Sequence, residues 1–270
     1  MVLLLGVLAC EKPTDTAPLA APPDLLVVDG MVTNEEKSHV VKLTRTMAAP
    51  DASPVAVTGA VVIVYDADST WVFTEHPASS GYYVSRATMF PVVGKTYSLL
   101  VNVGGKSVTA KAVLSKPLEF VRMRYGGTND GLYKITTVAN PFNPNRPAMY
   151  KISLDWSFLP AYRDADPDEC RKEVYYYSLP TLDVSEILAP EAEEVRFPAG
   201  TRVVQTRYSL SDEQSAFYRA LLLNTTWNGG LFNSAPASLP TNLSEGGAGF
   251  FGACGVTIKT FYVLPLADEK

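Results

Sequence analysis

Residues 96–114 read TYSLLVNVGGKSVTAKAVL. Two β-rich runs, Thr96–Val103 and Ser107–Leu114, flank the pair Gly104-Gly105. Valine, leucine and tyrosine fit a pleated, half-buried surface, and a glycine pair between two such runs is a hairpin signal. Val108-Thr109-Ala110-Lys111-Ala112 alternates small or apolar with polar residues, so one face of that strand is expected to be buried and the other wet. The same grammar runs backwards to residue 24. Strands are expected near Leu25–Val32, His39–Thr46, Ala60–Tyr65, Trp71–Thr74 and Tyr82–Ser85, separated by turns such as Asp66-Ala67-Asp68-Ser69 and Ser79-Ser80-Gly81. Seven short strands in about 90 residues predict an immunoglobulin-like or transthyretin-like β-sandwich over 24–115.

Beyond Lys116-Pro117 the runs lengthen. Strands are expected at Glu119–Tyr125, Tyr133–Ala139, Ala148–Phe158, Val174–Leu179, Thr201–Tyr208 and Val256–Leu264, with a Pro- and Asn-rich loop over 140–147. One helix is predicted. Ser211-Asp212-Glu213-Gln214 has the form of a capping box, in which Ser211 caps and Gln214 reaches back. Phe217 and Leu221 then share a face, and Asn224 or Gly229-Gly230 ends the helix. The expected fold is therefore mainly β. A first sandwich domain (24–115) is followed by a second β-rich domain (116–270) with one amphipathic helix.

Ahead of both lies MVLLLGVLA, residues 1–9, too short to span a bilayer and of the kind found in a secretory signal peptide. Val7-Leu8-Ala9-Cys10 resembles a bacterial lipobox, which makes Cys10 the expected lipid-attachment residue. EKPTDTAPLAAPP follows, poor in large apolar side chains and rich in proline. Residues 10–23 therefore read as a lipidated cysteine and its tether.

Composition bounds the chemistry. The hydrophobic fraction of 47% supports a core, while 28 acidic and 23 basic residues give a net charge of −5. That balance argues against a broad nucleic-acid surface, which needs clustered positive charge. With 2 histidines and 3 cysteines, a four-ligand zinc site would need nearly all of them. His39 and His76 have no partner at ligand spacing and are expected at the surface. No Gly-x-Ser-x-Gly elbow is present. No catalytic residue and no cofactor is called.

Asp164, Asp166 and Asp168 alternate along a loop and form a calcium candidate, with a solvated acidic loop as the alternative. Glu169 and Tyr175 stand where a helix-loop-helix calcium site needs Gly and Glu. Cys170 and Cys254 are the candidates for a disulfide in an oxidising compartment; the alternative is two small buried thiols. Gly246-Gly247-Ala248-Gly249-Phe250-Phe251-Gly252 lacks the Lys-Ser/Thr of a phosphate loop and is expected to be a bend where backbones approach closely. Tyr175-Tyr176-Tyr177, Trp227 and Phe232 are aromatic candidates for partner contact, with packing as the alternative.

Leu26–Glu35 (LVVDGMVTNE), Val41–Thr46 (VKLTRT), Val57–Val62 (VTGAVV), Leu239–Leu243 (LPTNL) and Gly246–Ala253 (GGAGFFGA), taken with Cys10, resemble an uncharacterised lipoprotein family of Bacteroidetes-type bacteria, a domain of unknown function. Such proteins are often encoded beside TonB-dependent transporters. The resemblance thus implies an accessory role in nutrient uptake. The shortage of catalytic groups adds the expectation of a lipid-anchored outer-membrane binding or accessory protein that is not an enzyme, on a face of the membrane the sequence does not specify. A surface structural or adhesion module and an envelope glycan or peptide hydrolase are the competing readings.

Overall fold

The computed structural model describes residues 24–46, 53–139, 143, 145–180, 194–225 and 239–265. The expected lipid-attachment residue Cys10, the signal and tether segments, Trp227 and Phe232 lie outside them. Seven strands form the first module: β1 (Leu26–Thr33), β2 (Val40–Arg45), β3 (Val61–Tyr65), β4 (Thr70–His76), β5 (Ser79–Ser85), β6 (Thr96–Val103) and β7 (Lys106–Val113). Each overlaps an expected strand, because each alternates side chains between a packed and a wet face, but β5 corrects the turn expected at Ser79-Ser80-Gly81: the strand begins at Ser79 and the turn falls on Pro77-Ala78. Leu43, Val62, Val64, Tyr97, Leu99 and Val101 are fully buried in one cluster. Burying such a side chain contributes about 1.5–3 kcal/mol. β6 and β7 pair in register from Thr96–Val113 to Val103–Lys106 around Gly104-Gly105.

The second half contributes β8 (Arg124–Gly127), β9 (Tyr133–Thr137), β10 (Ala148–Asp155), β11 (Arg171–Ser178), β12 (Arg196–Phe197), β13 (Arg202–Ser209), helix α1 (Asp212–Thr225) and β14 (Gly247–Tyr262). Strands β12, β9 and β8 make a small sheet. The remaining strands join in the order β11-β10-β13-β14-β1-β2-β5-β4-β3-β6-β7. The fold is mainly β with a β-sandwich first module, as the strand pattern requires.

β14 connects the modules. Its first half, Gly247–Cys254, runs parallel to β1 (Leu26–Thr33). Its second half, Gly255–Tyr262, runs antiparallel to β13. Two expectations are corrected here. The last strand begins nine residues before Val256, and the segment 247–254 belongs to the first module rather than to a second domain running unbroken from 116 to 270. Phe251, fully buried, and Ala253 sit in the first core. Glycine is required along this path. Gly249 has φ +87°, and a Cβ there would lie 2.2 Å from the Val28 carbonyl oxygen. A Cβ on Gly255 would lie 2.2 Å from the backbone nitrogen of Pro117, so the connection between the modules is pressed against β14. Ser115 Oγ fastens it, accepting the Gly255 N–H at 3.0 Å and donating to the Ser209 carbonyl at 2.5 Å.

Two asparagine side chains act as fragments of backbone on either side of β14. The Asn242 amide nitrogen donates to the carbonyls of Lys111 (3.0 Å) and Phe251 (2.7 Å), and its oxygen accepts the Phe251 N–H. With the Ala110–Leu243 bridge it links the edge of β7 towards β14, satisfying polar groups that an open edge leaves bare. Where β1 ends, Asn34 continues the pairing, its oxygen accepting the Val256 N–H at 2.5 Å. Both asparagines lie in the stretches that carry the family resemblance, and their roles are architectural.

A further correction concerns 119–125. The segment before Arg124 is not a strand. It packs into the second core, with Phe120 and Met123 buried and the Met123 N–H donating to Gln205 Oε1 of β13 at 2.8 Å. The apolar run reads like a strand because it is buried, yet its polar groups are met by side chains rather than by a neighbouring strand.

Candidate functional site

A groove of about 530 Å³ opens on the outer face of the first module where it meets the second. Asp29, Gly30, Met31 and Thr33 of β1 line one side, Lys37 to Val40 and Lys42 another, and Tyr82 and Tyr208 complete it. Strand register sets the floor. Asp29 pairs with Phe250 on one flank and Lys42 on the other, and Lys42 pairs with Tyr82. One row of outward side chains therefore runs Phe250, Asp29, Lys42, Tyr82 across four strands. Phe250 is closed off by α1, whose Phe217 stacks on it with ring centroids 5.3 Å apart. The other three remain accessible, Tyr82 at 39%.

Helix α1 covers β14, the strand next to the floor. Ser211 Oγ accepts the Gln214 N–H at 3.2 Å, as the capping pattern predicts. The reciprocal half of the box is replaced. Gln214 is buried over Gly252, where a Cβ would lie 2.4 Å from its amide nitrogen, and its oxygen accepts the Cys254 thiol hydrogen at 2.9 Å. Below the helix, Tyr177 and Tyr218 meet with centroids 5.6 Å apart.

The electrostatics of the floor are balanced. Asp29 keeps a face open to solvent, yet the surrounding walls exclude enough water to raise its carboxyl above the usual range. The Lys42 charge opposes that shift only in part. The Lys42 Nζ lies 5.2 Å from the centre of the Tyr82 ring. Burial pushes the Tyr208 phenol up to about 12, so it remains a neutral hydroxyl.

His39 closes one end, and its placement corrects the surface expectation: it is 2% exposed. Pairing of β1 with β2 stops at Gly30–Val41. Beyond it the imidazole fills the gap, Nε2 accepting the Thr33 N–H at 3.0 Å and Nδ1 facing the Lys37 carbonyl at 3.2 Å. That geometry puts the ring hydrogen on Nδ1 and uses both nitrogens. Burial, reinforced by the Lys37 charge, holds its pKa down to about 4, so it is a neutral strut. Sequence spacing missed it because its partners are backbone groups. His76 is exposed.

The structure does not assemble the other candidates. Cys170 and Cys254 are both buried free thiols, so no disulfide joins them. They pack in different clusters, Cys170 with Leu154 and Trp156, Cys254 with Met149, Leu179 and Leu210. Burial raises the Cys254 thiol to about 12, which leaves it protonated and unreactive. At the calcium candidate, an Asp166 carboxylate oxygen accepts the Asp168 N–H at 2.9 Å within its own turn. No group of three metal-ligating side chains forms among the described residues, so Asp164, Asp166 and Asp168 are not gathered into one. Of the tyrosine run, Tyr175 is exposed, Tyr176 packs into the second core and Tyr177 packs under α1. A second concavity of about 350 Å³, beside Tyr65, Lys95 and Lys111, is occupied by an internal pair: Lys95 Nζ sits 2.6 Å from Asp68 and 3.3 Å from Asp66.

These features define a β-sandwich protein fused through a shared strand to a second β-rich module, with an open polar groove at the fusion. Residues 11–260 match the family described as Domain of unknown function (DUF4249), and the chain belongs to that family. No curated protein matches it. Among solved structures, the chain is similar to the chicken CNTN1 FN1–FN3 domains, at 10% identity over 91% of this chain and 69% of that one, with a TM-score of 0.28. A chain of a cytokine receptor complex is similar at 11% identity over 66% of this chain and 89% of its own, with a TM-score of 0.22.

Proposed function

We propose that this protein is a lipid-anchored accessory or binding subunit at the outer membrane, held there through Cys10 and working with a TonB-dependent transporter in nutrient uptake. The single observation that carries the anchoring is Val7-Leu8-Ala9-Cys10 ahead of a proline-rich stretch. No helix among the described residues is long and apolar enough to cross a membrane. Acyl chains on Cys10 would hold the protein at the bilayer through their buried methylenes. The transporter partnership rests on the family resemblance.

A binding role rather than catalysis is favoured by the state of the reactive groups. The buried histidine has both nitrogens engaged, and the Cys254 thiol is protonated and enclosed. General acid–base or nucleophilic catalysis needs such a group poised near neutrality and within reach of substrate. The groove offers instead preorganised polar and aromatic side chains on neighbouring strands, which suits recognition. Tethering would raise the local concentration near a membrane partner to about millimolar for a short flexible linker, so a modest interface suffices.

The test has two arms. Cys10→Ser is expected to move the protein from the detergent phase to the aqueous phase and to remove the lipid mass from its N-terminus. Affinity purification of the wild-type chain from solubilised outer membranes is expected to recover the transporter encoded beside it. Unchanged partitioning of the variant would refute the anchor, and recovery of the protein alone would refute the partnership.

A further inference from the structure

We propose that the groove over Asp29, Lys42 and Tyr82 binds a neutral, polyhydroxylated ligand, a segment of uncharged glycan. This rests on the reading of the protein as a binding subunit and names what it would hold. Three observations lead to it.

First, the floor is charge-balanced at the scale of one ligand. Asp29 and Lys42 are direct cross-strand partners. Lys37, at the rim, is already paired with Glu35 at 2.5 Å. An anionic ligand drawn to Lys42 would meet the Asp29 carboxylate beside it, and a cationic ligand drawn to Asp29 would meet Lys42. Leaving either charge desolvated without a partner is costly. Neutral hydroxyls satisfy both at once, donating to the carboxylate and accepting from the ammonium. Hydrogen bonds to charged groups are stronger than those between neutral ones.

Second, apolar surface is interleaved with these charges. Tyr82 is 39% exposed and Val40 is 43% exposed, with Met31 half-buried beside them. A sugar ring has the matching character, with a C–H face and a hydroxyl rim. The Lys42–Tyr82 contact is of the exposed, weak kind, so the ammonium can leave the ring to meet a hydroxyl at little cost. The neutral Tyr208 hydroxyl adds a donor and acceptor on the opposite wall.

Third, the groups are held in place. They stand on β1, β2 and β5 inside a continuous sheet rather than on loops, so little ordering is required on binding. The volume of about 530 Å³ lies within the range of roughly 300–1,000 Å³ usual for small-ligand sites.

The experiment is a glycan array carrying neutral, acidic and amino-sugar oligosaccharides, probed with the detergent-solubilised full chain and followed by calorimetry on the strongest hit. Neutral glycans are expected to bind. Tyr82→Ala and Asp29→Asn are each expected to weaken that binding about tenfold or more, the equivalent of one good charged hydrogen bond or ring contact. Tyr65→Ala, at the other concavity, should leave it unchanged. Both groove side chains are exposed, so unaltered thermal melting of these variants serves as the folding control. Absence of binding to every neutral glycan would overturn the proposal. So would binding confined to acidic or amino sugars, or binding that neither groove variant alters. A negative array alongside successful transporter recovery would overturn the ligand assignment and leave the accessory role standing.

Discussion

The two halves of β14 share one backbone and little else. Gly247–Cys254 runs parallel to β1 with the sandwich core on one face and α1 over the other, and Phe250 to Val256 are all buried. Thr257–Tyr262 runs antiparallel to β13, and burial there alternates between half-buried and exposed positions. The sequences differ accordingly. A strand covered on both faces has no use for polar alternation, and this one is further narrowed to glycine where Gln214 and Val28 press against it, at Gly252 and Gly249. A strand covered on one face reads Thr-Ile-Lys-Thr-Phe-Tyr. A period-two pattern thus reports one-sided burial rather than strand geometry as such.

The sharpest way to break this contrast is to give each half the same β-branched side chain. Gly249→Val must fit a Cβ into the Val28 carbonyl at positive φ, and we expect loss of folding or destabilisation above about 4 kcal/mol by urea denaturation. Thr260→Val, on the exposed half, should fall within about 0.5 kcal/mol of wild type. Comparable effects at the two sites would mean that the parallel half is not pinned as described.

A smaller effect isolates the far end of the parallel half, where Thr33 pairs with Cys254 and donates to His39. The folded histidine titrates near 4 and the unfolded one near 6.5. The unfolded chain therefore binds more protons between those values. Stability from this group is complete above pH 6.5 and is lost as pH falls to about 4, by about 3 kcal/mol. Hydrogen exchange across that window should show the amides of Val32 and Thr33 losing protection before those of 257–262. His39→Gln should flatten this component, and an unchanged slope would remove His39 from the account.

The mildest test removes the lid from one half only. Ser211→Ala deprives the first turn of α1 of its cap and should cost about 1 kcal/mol. Tryptic cleavage at Arg219 should quicken while the Thr257–Tyr262 ladder keeps its exchange rates. Equal loosening of both halves would show that α1 braces the whole strand.

Much of the first module was legible because its strands are short, alternating and punctuated by turns, as at Thr96–Val113. The cap at Ser211 was legible because capping is local chemistry. The floor residues of the groove were not. Asp29, Lys42 and Tyr82 are unremarkable outward positions in three separate runs, and only the pairing of β1 with β2 and of β2 with β5 sets them side by side. The outward phase of each run could have nominated them; nothing in the chain states which strands are neighbours.

Local propensity and periodicity, readable along 24–113, determined that this protein is mainly β, which early runs become strands, and that one capped helix follows Leu210. Tertiary structure alone decided that residues 247–254 return more than two hundred positions to lie beside β1, that Asn34 and Asn242 stand in for backbone, that Cys170 and Cys254 stay apart, and that His39 is an interior strut. The physical reason is range. Turns, caps and alternation are settled by neighbours a few residues away, whereas a parallel strand, a buried imidazole and a shared groove depend on groups that only the folded chain brings together.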